Sequence, residues 1–214
     1  EQLREWFPEL EADRWEQLTA WAALLRDWNA KINLVSRKDI EALEINHLAP
    51  CLAITKVLKL MHGARVLDIG TGGGLPGIVM ALCYPQAHFT LVDSVGKKVR
   101  VVEDLALRLG LKNVDARHLR VETLNREFDF VTGRAVTALP AFCHWAMPRL
   151  RPGRKHSLAN GVLYWHGGPP PAVVPEARYW ALQQWLPDER FTDKGILHLT
   201  SAQAKKLARQ PERG

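Results

Sequence analysis

The order of apolar and polar positions divides the 214-residue chain into two stretches with different periods. From residue 3 to about residue 60 the apolar side chains recur at helical spacing. Leu3, Trp6, Phe7 and Leu10 fall at i, i+3, i+4 and i+7, and Trp15, Leu18, Ala22, Leu25, Trp28 and Ile32 continue the stripe. Pro8 predicts a helix boundary, because proline lacks the amide that a helix interior needs. A second segment, Asp39 to Lys59, is again expected to be helical, with an interruption at Pro50.

From Ala64 onward the pattern changes. "ARVLDIG" (64–70), "HFTLVD" (88–93), "NVDARHL" (113–119), "FDFVTGRA" (128–135) and the run from Val162 read as strands. Helical segments are expected over 75–84, over 96–110 with Gly110 closing it, and over 138–148. Strands that alternate with helices predict a parallel sheet covered on both faces. "RYWALQQWL" (178–186) and "KGILHLT" (194–200) read as two closing strands without a strong helix between them, and so as an antiparallel pair at one edge. "GGPPP" (167–171) reads as a stiff loop, and the tail from Ala204 as a basic end. The expected organisation is a helical cap over 1–60 packed on an α/β domain over 61–214.

Composition narrows the class. Hydrophobic residues make up 47% of the chain and charged residues 24%, as in an ordinary soluble domain. The longest apolar run, "GIVMALC" (77–83), falls well short of the roughly 18 residues of a membrane span. The acidic, aromatic start lacks the basic-then-apolar pattern of a secretory leader. Cys51, Cys83 and Cys143 are scattered without Cys-x-x-Cys spacing, and the eight histidines show no ligand spacing. The expectation is a cytoplasmic protein without structural metal or disulfides. A net charge of +6 places polyanions, RNA or DNA, among its expected partners.

The densest local signal is "VLDIGTGGGLPG" (66–77), an apolar strand followed at once by a glycine turn. Bare backbone between the first strand and first helix of an open α/β sheet lies at the ligand crevice. Three nucleotide readings compete for it. A phosphate loop requires Gly-Lys-[Ser/Thr], and Gly74 is followed instead by Leu75 and Pro76. A dinucleotide fingerprint matches Gly72, Gly74 and Gly77 but is out of register with Gly70, the first glycine after the strand. The third reading, Asp68-x-Gly70-x-Gly72-x-Gly74, suits S-adenosylmethionine, which carries an ammonium and a sulfonium but no phosphate. On that reading Asp68 helps hold the amino-acid end. Asp93, closing the second strand 23 positions after Gly70, accepts the ribose hydroxyls.

Further residues extend this reading. Glu122, after the third strand, is placed to face an adenine, and Arg134 ends the fourth strand as a clamp for a carboxylate or phosphate. Cations cluster in three sets: Lys97, Lys98 and Arg100; Arg117 and Arg120; and Arg149, Arg151, Arg154 and Lys155. All three are expected on or beside the cofactor side, as a track for an RNA backbone. One of Tyr164 and Trp165 is expected to face the core and the other a base. Asn-Pro-Pro-aromatic, Pro-Cys and Lys-Asp-Lys-Glu signatures of other nucleic-acid methyl transfers are absent. Guanine N7, with a free lone pair, needs no general base, only alignment and a preorganised field.

The stretch "LDIGTGGGLPGIVMALCYPQAHFTLVDSVGKKVRVVEDLA" resembles the signature of the small-subunit ribosomal RNA guanine-N7 methyltransferase G family, also called glucose-inhibited division protein B. "WNAKINLVSRKD" with His47, and "FDFVTGRAVTALP", are similar to its other motifs, so the resemblance runs over about 20–170. It implies a class I S-adenosylmethionine-dependent methyltransferase fold: a Rossmann-like, seven-stranded, mostly parallel sheet with an N-terminal helical cap. It implies methyl transfer to N7 of a guanine in 16S rRNA, either naked or in the small ribosomal subunit, by a protein expected to be a monomer off the membrane.

Carried across by motif, Gly70, Leu75, Asp93, Ser94, Val121, Glu122 and Arg134 contact the cofactor. Arg134 is the candidate catalytic residue, and Lys97, Lys98, Arg120 and His166 face RNA. Two departures stand out: Pro50-Cys51 where the family usually has Asp-Ser, and Trp165-His166-Gly167 where Leu-Lys-Gly is common. A histidine titrating near about pH 6.5 then replaces a permanent cation, which predicts weaker, more pH-dependent RNA binding. The rival readings are a nicotinamide-dependent oxidoreductase using Gly72, Gly74 and Gly77, and a non-catalytic RNA-binding relative.

Overall fold

A computed structural model describes residues 1–168 and 176–209. The cap contains α1 (Gln2–Trp6), α2 (Ala12–Asn29) and α3 (Arg37–Glu41). A continuous helical run follows: a π turn (Glu44–Leu48), α4 (Ala49–Leu52) and a 3-10 turn (Ala53–Lys56). The chain then alternates β1 (Arg65–Ile69), α5 (Gly77–Cys83), β2 (His88–Asp93), α6 (Gly96–Arg108), β3 (Val114–His118), β4 (Phe130–Arg134), α7 (Leu139–Ala146) and β5 (Gly161–Gly167). It closes with β6 (Arg178–Ala181), β7 (Lys194–Thr200) and α8 (Ser201–Ala208). The strands form one sheet in the order β3-β2-β1-β4-β5-β7-β6. β7 is antiparallel to both its neighbours, and the other pairings are parallel. This is the class I methyltransferase architecture.

Both faces of the sheet are covered, so its central strands are buried almost throughout and do not alternate apolar with exposed polar residues. One face, with Val66, Phe89, Phe130, Leu163, Trp165 and Ile196, packs in a single cluster with the cap helices, α5 and α6. The other, with Leu67, Val92, Val131, Val162, Tyr164 and Leu197, packs on α7 and α8. α5 is hydrophobic all round because it lies between the sheet and α2 and α4. Gly77 opens it because a Cβ there would stand 2.7 Å from Leu91 and 2.8 Å from the Asp68 carboxylate. The Trp28 Nε1–H donates to Asp104 on α6 at 2.7 Å and ties α2 to α6 on the same face of the sheet.

Four expectations need correction. Pro50 does not interrupt the second cap segment. It stands in the first turn of α4, directly after the π turn, where its missing amide is no loss. The strand read over 178–186 is confined to Arg178–Ala181, and a 3-10 turn (Leu182–Gln184) follows. The basic end is helical at its start: Ala204 to Ala208 belong to α8, which opens with a capping box between Thr200 and Gln203; this Thr-x-x-Gln signal is present in the sequence. Tyr164 and Trp165 point to opposite faces as expected, yet both are buried. The Tyr164 hydroxyl donates to Thr137 O at 2.6 Å and the Trp165 Nε1–H to Pro50 O at 2.7 Å. Neither ring is left to stack on a base. Of the loop read at 167–171, only Gly167 and Gly168 lie within the described residues.

Candidate functional site

The carboxyl ends of β1, β2 and β3 open onto a cavity of about 280 Å³. Its lining brings together Gly70, Asp93, Ser94, Val121 and Glu122 from the expected cofactor set, and adds Arg120, expected to face RNA. Gly70, Gly72 and Gly74 all take left-handed backbone, at φ +65°, +58° and +89°, a conformation that glycine alone adopts readily. At Gly70 a Cβ would stand 3.1 Å from both methyl carbons of Val136, so a side chain there would close the wall of the cavity. The Asp93 carboxylate joins the two loops of this wall. Its Oδ2 accepts from the Gly72 amide at 3.0 Å and its Oδ1 from the Val95 amide at 2.8 Å. Each oxygen keeps a further lone pair for a hydroxyl donor.

Asp68 is placed differently from its expected contact with a ligand ammonium. It is 1% exposed and stands outside the cavity lining. Its Oδ1 accepts from the Thr132 hydroxyl at 2.9 Å and its Oδ2 from the Gly77 amide at 3.1 Å. Gly77 begins α5, so Asp68 satisfies one of the orphan amides of a helix start. Burial pushes its carboxyl up to about 6 against those hydrogen bonds. The acid holds the turn from within.

Arg134, at the end of β4, also lies off the cavity lining and reaches the cap. Nη1 donates to His47 O at 3.2 Å and contacts Cys51 Sγ at 3.5 Å. Nη2 donates to Asn46 O at 3.2 Å and to His47 Nδ1 at 2.6 Å. Every one of these partners is uncharged. Burial, then the Arg134 charge, lowers the His47 imidazole to about 4, so it is neutral at physiological pH and its proton is on Nε2. That Nε2 is buried without a hydrogen-bond partner among the described residues. The π turn supplies three of these groups, from Asn46 and His47, and α4 supplies the sulfur.

The remaining expected residues are dispersed. Leu75 is half-buried against the cap cluster, and Gly72 and Gly74 shape the turn without lining the cavity. Lys97 is exposed and Lys98 half-buried on the first turn of α6. His166 sits near the carboxyl end of β5, opposite Gly195 of β7. Arg117 is paired with Asp115 at 2.8 Å. Arg151, Arg154 and Lys155 precede β5, a strand parallel to β1, and therefore lie at the opposite end of the sheet from the glycine turn; their expected place beside the cofactor is incorrect. Arg149, buried just after α7, instead reaches back to donate to Trp145 O at 3.0 Å and interacts with Glu122, both residues of the cavity lining. Val136 and Trp145 line the cavity without a sequence signal. Ala135, the residue between Arg134 and Val136, has φ +53°, rare for a residue with a Cβ.

The family model for GidB, described as rRNA small subunit methyltransferase G, matches residues 14–162. Ribosomal RNA small subunit methyltransferase G of Flavobacterium psychrophilum is 40% identical over 93% of this chain and 97% of its own length. That of Bacteroides thetaiotaomicron is 44% identical over 78% of this chain and 81% of its own. Among solved structures, a SAM-dependent methyltransferase from Aquifex aeolicus superposes with a TM-score of 0.51 at 16% identity, covering 77% of this chain and 98% of that one. The similarity of that structure concerns the fold.

Proposed function

The chain belongs to the rRNA small subunit methyltransferase G family, and on that premise we propose that it methylates N7 of a guanine in 16S rRNA with S-adenosylmethionine as methyl donor. When bound, the donor supplies an electrophilic methyl on a sulfonium.

Asp93 would take the ribose hydroxyls on its remaining lone pairs. Val121 and Glu122 would border the adenine, with Gly70 and Ser94 completing the wall of the cavity. Arg134, a cation resting on neutral partners, keeps its charge for an anionic group of cofactor or RNA. Arg120, Lys97, Lys98 and His166 would meet the RNA backbone. Because N7 carries a free lone pair, no side chain needs to remove a proton. The chain's own contribution is to align donor and acceptor and exclude water. A loop guanine is cheaper to present than a paired one.

The observation that carries this reading over a dinucleotide enzyme is the Asp68 carboxylate on the Gly77 amide. A pyrophosphate would seek that helix start, and a buried acid already occupies it. Asp93 does not separate the two readings, because dinucleotide enzymes hold a ribose on an acid at the same place.

We read residues 1–60 as the cap and 61–214 as the catalytic domain, and the protein as a cytoplasmic monomer. Among the described residues no helix is long and apolar enough to cross a membrane. The test is nucleoside mass spectrometry of small-subunit rRNA from a strain lacking this methylation, naked and in subunits, after incubation with protein and S-adenosylmethionine. 7-Methylguanosine mapped to one loop is the expected product. Binding of S-adenosylhomocysteine without any methylated nucleoside would favour a non-catalytic RNA-binding relative, and calorimetric binding of NAD would favour the oxidoreductase.

A further inference from the structure

The end of the sheet opposite the cofactor cavity carries a second concave site that methyl transfer does not use. The loop 154–159, the start of β6 and the Thr200 and Gln203 side chains border a cavity of about 390 Å³. Arg154 and Arg178 line it, both exposed, and neither forms an ion pair or hydrogen bond among the described residues. Arg178 stands opposite His198 in the β6–β7 register.

Two buried histidines are held in fixed orientations within the lining. The Met61 amide donates to His156 Nδ1 at 3.1 Å, and His198 Nε2 meets Ala159 O at 2.8 Å, where it must be the donor. Burial lowers both imidazoles below their ordinary value. The charge of the site therefore comes from the two guanidiniums. Lys155 adds a third cation next in sequence to Arg154. Lys59 adds a fourth, bonded through its backbone to Ser157 in the lining by hydrogen bonds of 2.7 and 3.2 Å. Against them the lining holds one carboxylate, Glu176.

Two exposed guanidiniums that border one polar hollow without a carboxylate partner among the described residues keep their donor forks open to an anion. Guanidiniums bind phosphate oxygens in paired, directional hydrogen bonds. We propose that this cavity binds phosphate groups of the RNA backbone, as a second contact remote from the cofactor cavity. The proposal rests on the rRNA-substrate reading and extends it. The five residues of β1, at roughly 3.3 Å each, separate the two ends, so the substrate must be a folded RNA broad enough to reach both.

The experiment measures the affinity of an rRNA domain for the intact protein as a function of salt, in wild type and in the Arg154→Ala/Arg178→Ala variant. Both side chains are exposed, so the fold should survive, and S-adenosylhomocysteine affinity serves as the control. Loss of two phosphate contacts should lower the slope of log K against log salt by about 1.4 to 1.8. A parallel titration with inorganic phosphate should shift the His156 and His198 ring resonances in wild type and leave them still in the variant. An unchanged RNA slope overturns the proposal. If phosphate still moves the rings in that case, the site serves free phosphate rather than RNA. Methylation of rRNA by the wild type, followed in the same samples, separates failure of this site from failure of the enzymatic reading.

Discussion

Asp68 and Asp129 are carboxylates buried in one sheet at its opposite ends, and their surroundings differ in kind. Asp129, at the amino end, is fully buried and takes both arms of Arg151, at 2.9 and 2.8 Å, with the Arg65 amide and the Asn160 side chain also donating at 2.9 Å. Burial opposes its ionisation, but these donors win and hold the carboxyl well below the usual range. Asp68, at the carboxyl end, has no cation against it among the described residues. Burial raises it, although the Thr132 hydroxyl and the Gly77 amide donate to it and the Thr71 hydroxyl lowers it as well. Arg134 nearby is likewise held by neutral groups. The amino end pairs its core acid fully and acts as scaffold. The carboxyl end gives its buried acid and its arginine only neutral partners, which costs stability.

The sharpest way to break this contrast is Asp129→Ala. Removing the acid leaves a half-buried Arg151 and a buried Asn160 amide without their partner, and should cost about 3–5 kcal/mol. For a chain of this size that corresponds to a fall in Tm of roughly 10 °C. A thermal melt shifted by less than a couple of degrees would mean that the clamp is not structural.

pH distinguishes the two acids by sign. The carboxyl of Asp68 is raised in the fold, so the native state binds the extra proton between about pH 4 and 6, and stability falls as pH rises through that window. Asp68→Asn should abolish that slope, so wild type should lose about 2–3 kcal/mol relative to the variant between pH 4 and 6. Asp129 is lowered in the fold. Its stabilisation is present above about pH 4 and is lost below that as the folded-state carboxyl protonates. Denaturant midpoints across pH 3 to 7 test both, and parallel curves for wild type and Asp68→Asn would refute the assignment.

His47→Phe probes the carboxyl end alone. It deprives the half-buried Arg134 of its 2.6 Å acceptor while Nη2 keeps Asn46 O, so the stability cost should be about 1 kcal/mol. Methyl transfer should fall by about tenfold or more, chiefly in kcat/KM for RNA, with the fold intact. His47→Gln, which restores a neutral acceptor, should recover much of the loss. Equal loss in both variants would show that the imidazole only fills space.

Much of this was legible in the chain. The helical period before residue 60, the strand runs after Ala64 and the positive-φ glycines are local properties, expressed by neighbours in sequence. α8 was missed although Thr200 and Gln203 announce it. Val136 and Trp145 could not have been named, because nothing in their own neighbourhood marks them as walls of a cavity.

The sequence by itself determined the class of the fold, the place of the glycine turn and the two acids flanking it, because alternation and bare backbone act over a few residues. Tertiary structure alone decided which charges face inward. Arg134 meets His47 across 87 positions of chain and Asp68 meets Thr132 across 64. Which end of the sheet receives Arg154 follows from the direction of β5. Those choices depend on which elements pack together, and a buried charge takes whatever partner the packing brings within hydrogen-bond reach.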